Sequence, residues 1–312
     1  MSEIFDLIKK TETTHKTRSF VYPMSGADTA AFGPSQAAGA AGSDSSRRID
    51  PEEASASGAN AASPASLARY AEDEFIPAGK FTLTKATSQL QRAMDPGTIL
   101  GEQFRVLRTR LSLMQKQSGI RTILITSTVP QEGKSFTSYA LAGVIAQGHE
   151  KRVIIIDADM RKQGSGRDYG IGENRQIAGT AQVLQGVSDF KTSLLKSTDP
   201  EFWFLPSGIL PPNPSELLSS PETEKMIRIA ARNFDWVIVD APPALALSDP
   251  TLIAPMCDTV VFVVRANSTP TKLVNETINK IGRDRICGIV LNRKKQQHSS
   301  RHYYQYYYQK QK

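Results

Sequence analysis

Residues Thr126 to Phe136 read "TSTVPQEGKSF", and the fold is decided by what flanks them. Upstream, "TILIT" (122–126) is a short β-branched run that predicts a strand. Downstream, "SFTSYALAGVIAQG" (135–148) repeats its apolar residues at helical spacing and stops at a glycine. A loop of this kind between strand and helix aims successive backbone N–H groups at one point, with the helix N-terminus behind them, and so cradles phosphate oxygens. The expected nucleotide contacts are Thr128, Val129, Pro130, Gln131, Glu132, Gly133, Lys134, Ser135 and Phe136. Lys134 would reach the β- and γ-phosphates of ATP, and the Ser135 hydroxyl would bind Mg2+. Position 128 holds threonine where the usual loop has glycine. Gly-Lys-Ser alone could be a turn at a helix start; its place between a strand and a helix favours phosphate.

The pattern continues outward from this loop. "RVIIIDAD" (152–159), "EFWFLPSG" (201–208), "WVIVDAPP" (236–243), "TVVFVVRA" (259–266) and "ICGIVLNR" (286–293) read as strands. Between them, "SPETEKMIRIAARN" (220–233), "DPTLIAPM" (249–256) and "TKLVNETINKIG" (271–282) read as helices. Strands apolar on both faces belong to a parallel sheet covered by helices on each side. The fold class is therefore α/β, a P-loop NTPase-like, mostly parallel sheet preceded by a disordered tether. Ligands of such sheets bind at the carboxyl ends of the strands, and acids gather there. Asp157 and Asp159 close one strand, two residues apart and so expected on the same side. Asp240 closes another, in the position of a Walker B acid. A lone strand-end aspartate is usually a helix cap. Three of them around one phosphate loop supply what phosphoryl transfer needs: acids to hold Mg2+ and one to accept a proton.

The rest of the chain organises around this domain. Residues 1–24 form a short N-terminal docking segment in which Ile4, Phe5 and Ile8 share a helical face. Residues 25–95 form an Ala/Ser/Gly-rich linker, too poor in large apolar side chains to offset its ordering entropy. The domain covers 96–293, and a basic tail follows over 294–312. "MSEIFDLIKKTE" (1–12) lacks the apolar core of a signal peptide, and no run of about eighteen apolar residues occurs, so a cytoplasmic location is expected. Cys257 and Cys287 lie in apolar runs without metal-type spacing and read as buried, reduced thiols. The formal charge of +7 owes much to the tail. That tail also holds "HYYQYYYQK" (302–310), with five of the nine tyrosines. Disordered basic tails are normally poor in aromatics. Stacking on single-stranded nucleic acid, or an aggregating edge strand, could each use such a cluster. The reading preferred is that Tyr303, Tyr304, Tyr306, Tyr307 and Tyr308 are phosphoacceptors, since a flexible segment presents its hydroxyls without unfolding; no nucleic acid is expected.

Together, "TSTVPQEGKS" (126–135), "VIIIDADMRK" (153–162), "FDWVIVDAPP" (234–243), "SGILPPNPSELLSSPE" (207–222) and the tyrosine tail resemble the bacterial tyrosine kinases, or BY-kinases, of capsule and exopolysaccharide synthesis. The resemblance covers roughly residues 101–293 and implies a protein-tyrosine autokinase using ATP and Mg2+ and acting on its own tail in trans. Carried over, Lys134 stabilises the transferring phosphate, while Ser135, Asp159 and Asp240 hold Mg2+ directly or indirectly. Asp157 becomes the candidate base, with Asp159 its rival, and Asn292 matches a position that contacts adenine. In "GEQFRVLRTRL" (101–111), Glu102, Arg105 and Arg108 could be a solvated charged face; the resemblance makes them the contact between subunits of a ring. It further implies a separate membrane chain-length regulator as activator, a phosphotyrosine phosphatase, and recruitment to the inner face of the plasma membrane. Ser215 is expected to cap a helix behind the prolines. Gln163 and Thr180 depart from the pattern, which has proline and leucine there. Two rivals remain: a deviant-Walker partition-type ATPase, whose early loop lysine would fall at Val129, and a nucleotide-sensing scaffold.

Overall fold

The computed structural model describes residues 20–23, 75, 77–83, 88–148, 151–162, 166, 169, 171 and 177–292. All belong to the unit formed by Met1–Ala27 and Arg69–Lys312. The linker's 28–68 stretch, the amphipathic face at 4–8, Gln163 and the whole tyrosine tail lie outside the described residues.

Nine strands form one sheet in the order β1-β9-β8-β3-β7-β4-β6-β5-β2. They are β1 (Phe20–Pro23), β2 (Gly79–Phe81), β3 (Thr122–Ser127), β4 (Val153–Asp157), β5 (Leu195–Ser197), β6 (Trp203–Leu205), β7 (Trp236–Asp240), β8 (Thr259–Arg265) and β9 (Ile286–Asn292). Every pairing is parallel except β5 with β6. The helices are α1 (Ser88–Met94), α2 (Ile99–Ser118), α3 (Lys134–Ala146), α4 (Thr180–Leu184), α5 (Pro214–Leu218), α6 (Pro221–Asn233), α7 (Asp249–Ile253) and α8 (Thr271–Ile281).

Strand alternation divides the core in two. Ile123, Ile125, Val153, Ile155, Trp236 and Ile238 pack on one face with Leu90 of α1, Phe104 and Leu107 of α2 and Leu141 of α3. Leu124, Ile154, Ile156, Val237 and Val239 pack on the other with α4 to α8. Continuous apolar strands are thus buried on both sides, as a parallel sheet requires. Both cysteines are buried and unbridged, and burial pushes the Cys287 thiol up to about 11.

The folded unit begins upstream of residue 96, inside what the composition assigns to the linker. Phe75 and Leu83 are buried, β2 pairs with β5, and Leu90 and Ala93 of α1 have no exposed surface. These pieces are too short for their periodicity to stand out. Strand β1 likewise pairs with β9 within the stretch read as a docking segment.

Candidate active site

Asp157 and Asp240 are register partners at the carboxyl ends of the adjacent strands β4 and β7. By alternation both face the side covered by α3, because they share parity with Val153 and Trp236. The first residue of α3 is Lys134. Its Nζ lies 3.1 Å from Asp159 Oδ2, 3.9 Å from Asp240 Oδ1 and 3.3 Å from Ser135 Oγ. The sequence therefore brings its expected cluster to one point. Asp159 reaches it differently from the expectation: β4 ends at Asp157, so Asp159 lies past the strand, and its backbone N–H turns back to donate to Asp157 Oδ1 at 3.0 Å.

One cation among three carboxylates sets the electrostatics. Burial pulls Lys134 down, but Asp240, Asp159 and Asp157 together outweigh it and hold the ammonium above its ordinary range. Burial, with Asp240 beside it, pushes Asp157 up to about 7, against the opposing pull of Lys134. Asp240 is also raised, chiefly by burial, with Lys134, Ser135 and Ser138 pulling it back. The Ser138 hydroxyl donates to Asp240 Oδ1 at 3.2 Å, while among the described residues Oδ2 has no partner and no exposed surface. That orphaned oxygen, beside a serine hydroxyl and excess negative charge, fits a hard divalent cation. Mg2+ takes one or two carboxylates together with substrate phosphates rather than a protein-only cage.

The loop is built around a residue with another role than the one expected. Glu132 is 1% exposed. Its Oε2 accepts from the N–H groups of Thr128 at 2.6 Å and Val129 at 2.9 Å, and its Oε1 from the Arg265 N–H and the Thr269 hydroxyl. Glu132 is a strut inside the loop, and it occupies two of the N–H groups that the sequence assigned to phosphate. The reason is electrostatic: an acid within an anion cradle must turn away from the anion. Past it, Gly133 adopts φ +94°, and a Cβ there would lie 1.9 Å from Asn292 Nδ2. Asn292 donates to the Glu132 carbonyl at 2.9 Å, tying β9 to the loop. No side chain caps α3, so its first N–H groups face the site. Pro130 and Gln131 are exposed. The Phe136 ring packs edge-on against Phe104 of α2 at 5.9 Å, so its side chain serves the core rather than nucleotide.

The sequence missed two supports. Asp249, at the start of α7, has no exposed surface and pairs with Arg161 at 2.6 and 2.9 Å. Ser215 also donates to Asp249, so it sits inside α5 behind the cap residue Asn213 rather than capping that helix. Although burial opposes it, the Arg161 and Ser215 hydrogen bonds hold the Asp249 carboxyl below its usual range. The second support is Thr180, whose hydroxyl donates to the Asp157 carbonyl at 2.8 Å. The departure from the family pattern at this position thus braces the end of β4 at Asp157. On α2, Arg105 pairs with Glu102 at 3.3 Å and Arg108 donates to the Val144 carbonyl of α3 at 2.9 Å. Among the described residues, no helix is long and apolar enough to cross a membrane.

A family model described as an AAA domain matches residues 120–285. The chain is 32% identical over 214 residues to the tyrosine-protein kinase YwqD of Bacillus subtilis (strain 168), covering 67% of this chain and 89% of that one. It is 31% identical over 207 residues to the tyrosine-protein kinase wzc of Salmonella typhimurium, covering 66% of this chain and 28% of that protein. Among solved structures, the kinase domain of Escherichia coli tyrosine kinase ETK superposes with a TM-score of 0.60 at 28% identity, covering 77% of this chain and 98% of the other.

Proposed function

The chain belongs to the bacterial tyrosine-kinase family, and from that premise we propose that it transfers the γ-phosphoryl group of ATP to the tyrosines of its own C-terminal cluster, on a neighbouring copy. The observation that carries this reading is the pocket at the carboxyl edge: Lys134 within reach of Asp159 and Asp240, beside a buried Asp157 pushed up to about 7.

Lys134 and the uncapped N–H groups of α3 bind the β- and γ-phosphates and hold charge as the P–O bond to the leaving ADP breaks. Mg2+, held by Ser135 and Asp240 with Asp159 nearby, would offset the negative charge of the phosphates. Asp157 accepts the proton of the tyrosine hydroxyl as the phenol oxygen bonds to phosphorus; a pKa near 7 suits a base at neutral pH. Asp159 is engaged with Lys134, which leaves Asp157 the better base. Asn292, tied to the loop through the Glu132 carbonyl, is the residue that would contact adenine.

Transfer in trans supports a ring of subunits joined through Glu102, Arg105 and Arg108. Val106 and Leu113, 40% and 52% exposed on the same helix, add an apolar surface to that contact. A separate membrane chain-length regulator would recruit and activate the kinase at the inner membrane face for exopolysaccharide export, and a phosphotyrosine phosphatase would reset it. Valine at 129, where the partition-type ATPases place a lysine, disfavours that alternative.

Mixing two copies, neither of which can label its own tail, tests the proposal. One carries Lys134→Met with its tail intact; the other has an intact site and phenylalanine at positions 303, 304, 306, 307 and 308. Phosphotyrosine on the tail of the Lys134→Met copy is the expected result, and an unlabelled tail in the mixture contradicts transfer between chains.

A further inference from the structure

Past Asp240 the chain does not leave β3 at once. The Ala241 N–H donates to the Ile125 carbonyl at 3.0 Å, the Ala244 N–H to the Ser127 carbonyl at 2.8 Å and the Leu245 N–H to the Thr128 carbonyl at 3.2 Å. The Thr126 hydroxyl in turn donates to the Pro242 carbonyl at 2.7 Å. The loop after β7 therefore backs the first residues of the phosphate loop. On its other side it meets Lys280, in the last turn of α8. The Lys280 ammonium donates to the carbonyls of Ala244 at 2.9 Å, Leu245 at 3.3 Å and Leu247 at 3.0 Å. An ammonium has three donors and no acceptor, so one loop takes all that Lys280 can give.

The Ala244 carbonyl and the Leu245 N–H are the two ends of one planar peptide group, which accepts from Lys280 and donates to Thr128. The Thr128 carbonyl and the Val129 N–H are the two ends of another, which donates to Glu132 Oε2 at 2.9 Å. A cation and an anion thus terminate a chain of two peptide groups joined head to tail. A second branch ends on the same oxygen: the Ala244 N–H donates to the Ser127 carbonyl, and the Thr128 N–H to Glu132 Oε2 at 2.6 Å. Hydrogen bonds in such chains polarise one another, and an ionised group at an end strengthens the bond it makes. Glu132 directly precedes Gly133 and Lys134, so whatever fixes its carboxylate also fixes the N–H groups and the ammonium offered to phosphate.

We propose that Lys280 is a positioning residue for nucleotide binding: through the peptide group between Ala244 and Leu245 it sets the Thr128–Val129 peptide against Glu132, and so shapes the phosphate loop while its own bonds go to the loop after β7. This rests on the reading of the Lys134 loop as the ATP site. Lys280 is exposed, so water competes for its ammonium and the effect of removing it is severalfold rather than a loss of binding.

Two readouts on the full chain test this. Calorimetry follows binding of ADP with Mg2+, since ADP carries the β-phosphate but has no γ-phosphoryl group to transfer. Exchange in D2O follows the Leu245 and Val129 amides without nucleotide. Lys280→Met should weaken ADP about fivefold and speed exchange of both amides, although Val129 stands two peptide groups away from the lysine. Added to Glu132→Ala, the same substitution should weaken ADP by less than about twofold further, because the chain has already lost its anion. Unchanged ADP affinity in Lys280→Met, an unchanged Val129 amide, or the full fivefold loss on top of Glu132→Ala overturns the proposal. The second of these results is that of a lysine that only fastens α8 to its neighbouring loop, and the third that of charge acting through space. A parent that binds no ADP overturns the reading of the phosphate site and this inference with it, whereas the other three results leave that reading standing.

Discussion

Asp157 sits fully buried against Asp240, and its carboxyl is pushed up to about 7 from an ordinary 3.8. Between those values the unfolded chain has given up a proton that the native protein keeps. Native stability therefore falls as pH rises from about 4 to 7. Asp157→Asn removes this penalty. Without nucleotide it should be more stable than the parent by about 2–4 kcal/mol at pH 8, at roughly 1.4 kcal/mol per pKa unit, with the difference fading near pH 4. Thermal unfolding at the two pH values checks this, and a variant less stable at pH 8 would contradict the assignment. In the same variant tyrosine phosphorylation should be lost, whereas the parent's rate should rise as pH passes through 7. Glu132→Ala acts by another route: it strands the buried N–H group of Thr128 and the half-buried one of Val129. It should cost about 2–3 kcal/mol in urea unfolding and weaken ATP at least tenfold by calorimetry. Lys134, Ser135 and Asp240 were legible in the sequence because strand ends and loop position fix where they point. Glu132 was not, because its partners Arg265 and Thr269 are 133 and 137 residues away.

The elements read correctly are those whose side chains declare a period. Strands β3, β4, β7, β8 and β9 are β-branched runs and β6 an aromatic one, while α3, α6, α7 and α8 carry apolar residues at helical spacing. Strands β2 and β5, "GKF" and "LKS", have three residues each and no run to detect; they exist because β6 and its neighbours offer an edge to pair with. Helices α4 and α5, of five residues each, are likewise set by tertiary contacts. The Arg161–Asp249 pair shows what such contacts do. It fastens the loop after β4, which carries Asp159, to the start of α7, and Ser215 adds α5 to the same point. Removing one partner of a buried pair strands the other. Asp249→Ala should cost about 3 kcal/mol, reduced from the fully buried case because Arg161 is 35% exposed. Chemical denaturation measures that loss. A change under about 0.5 kcal/mol would show that the three elements are held by packing alone.

At the scale of the whole molecule, the acids and the tyrosines stand at opposite ends of one logic. The carboxyl rim of the sheet concentrates three aspartates around a single lysine, while the segment from Arg293 carries Lys294, Lys295, Arg301, Lys310, Lys312 and no acid. Opposite charge draws a tail of this kind toward such a rim. The sheet and its rim could be inferred from sequence because burial and catalysis both impose patterns on neighbouring residues. The account rests on phosphoryl transfer from the Lys134 site to the tail, and mapping phosphate by mass spectrometry after incubation with ATP and Mg2+ tests it most directly. Phosphotyrosine should appear within residues 303–308 of the parent and be absent from Lys134→Met. Release of inorganic phosphate with no phosphotyrosine, or the same tail phosphorylation in Lys134→Met, would contradict it.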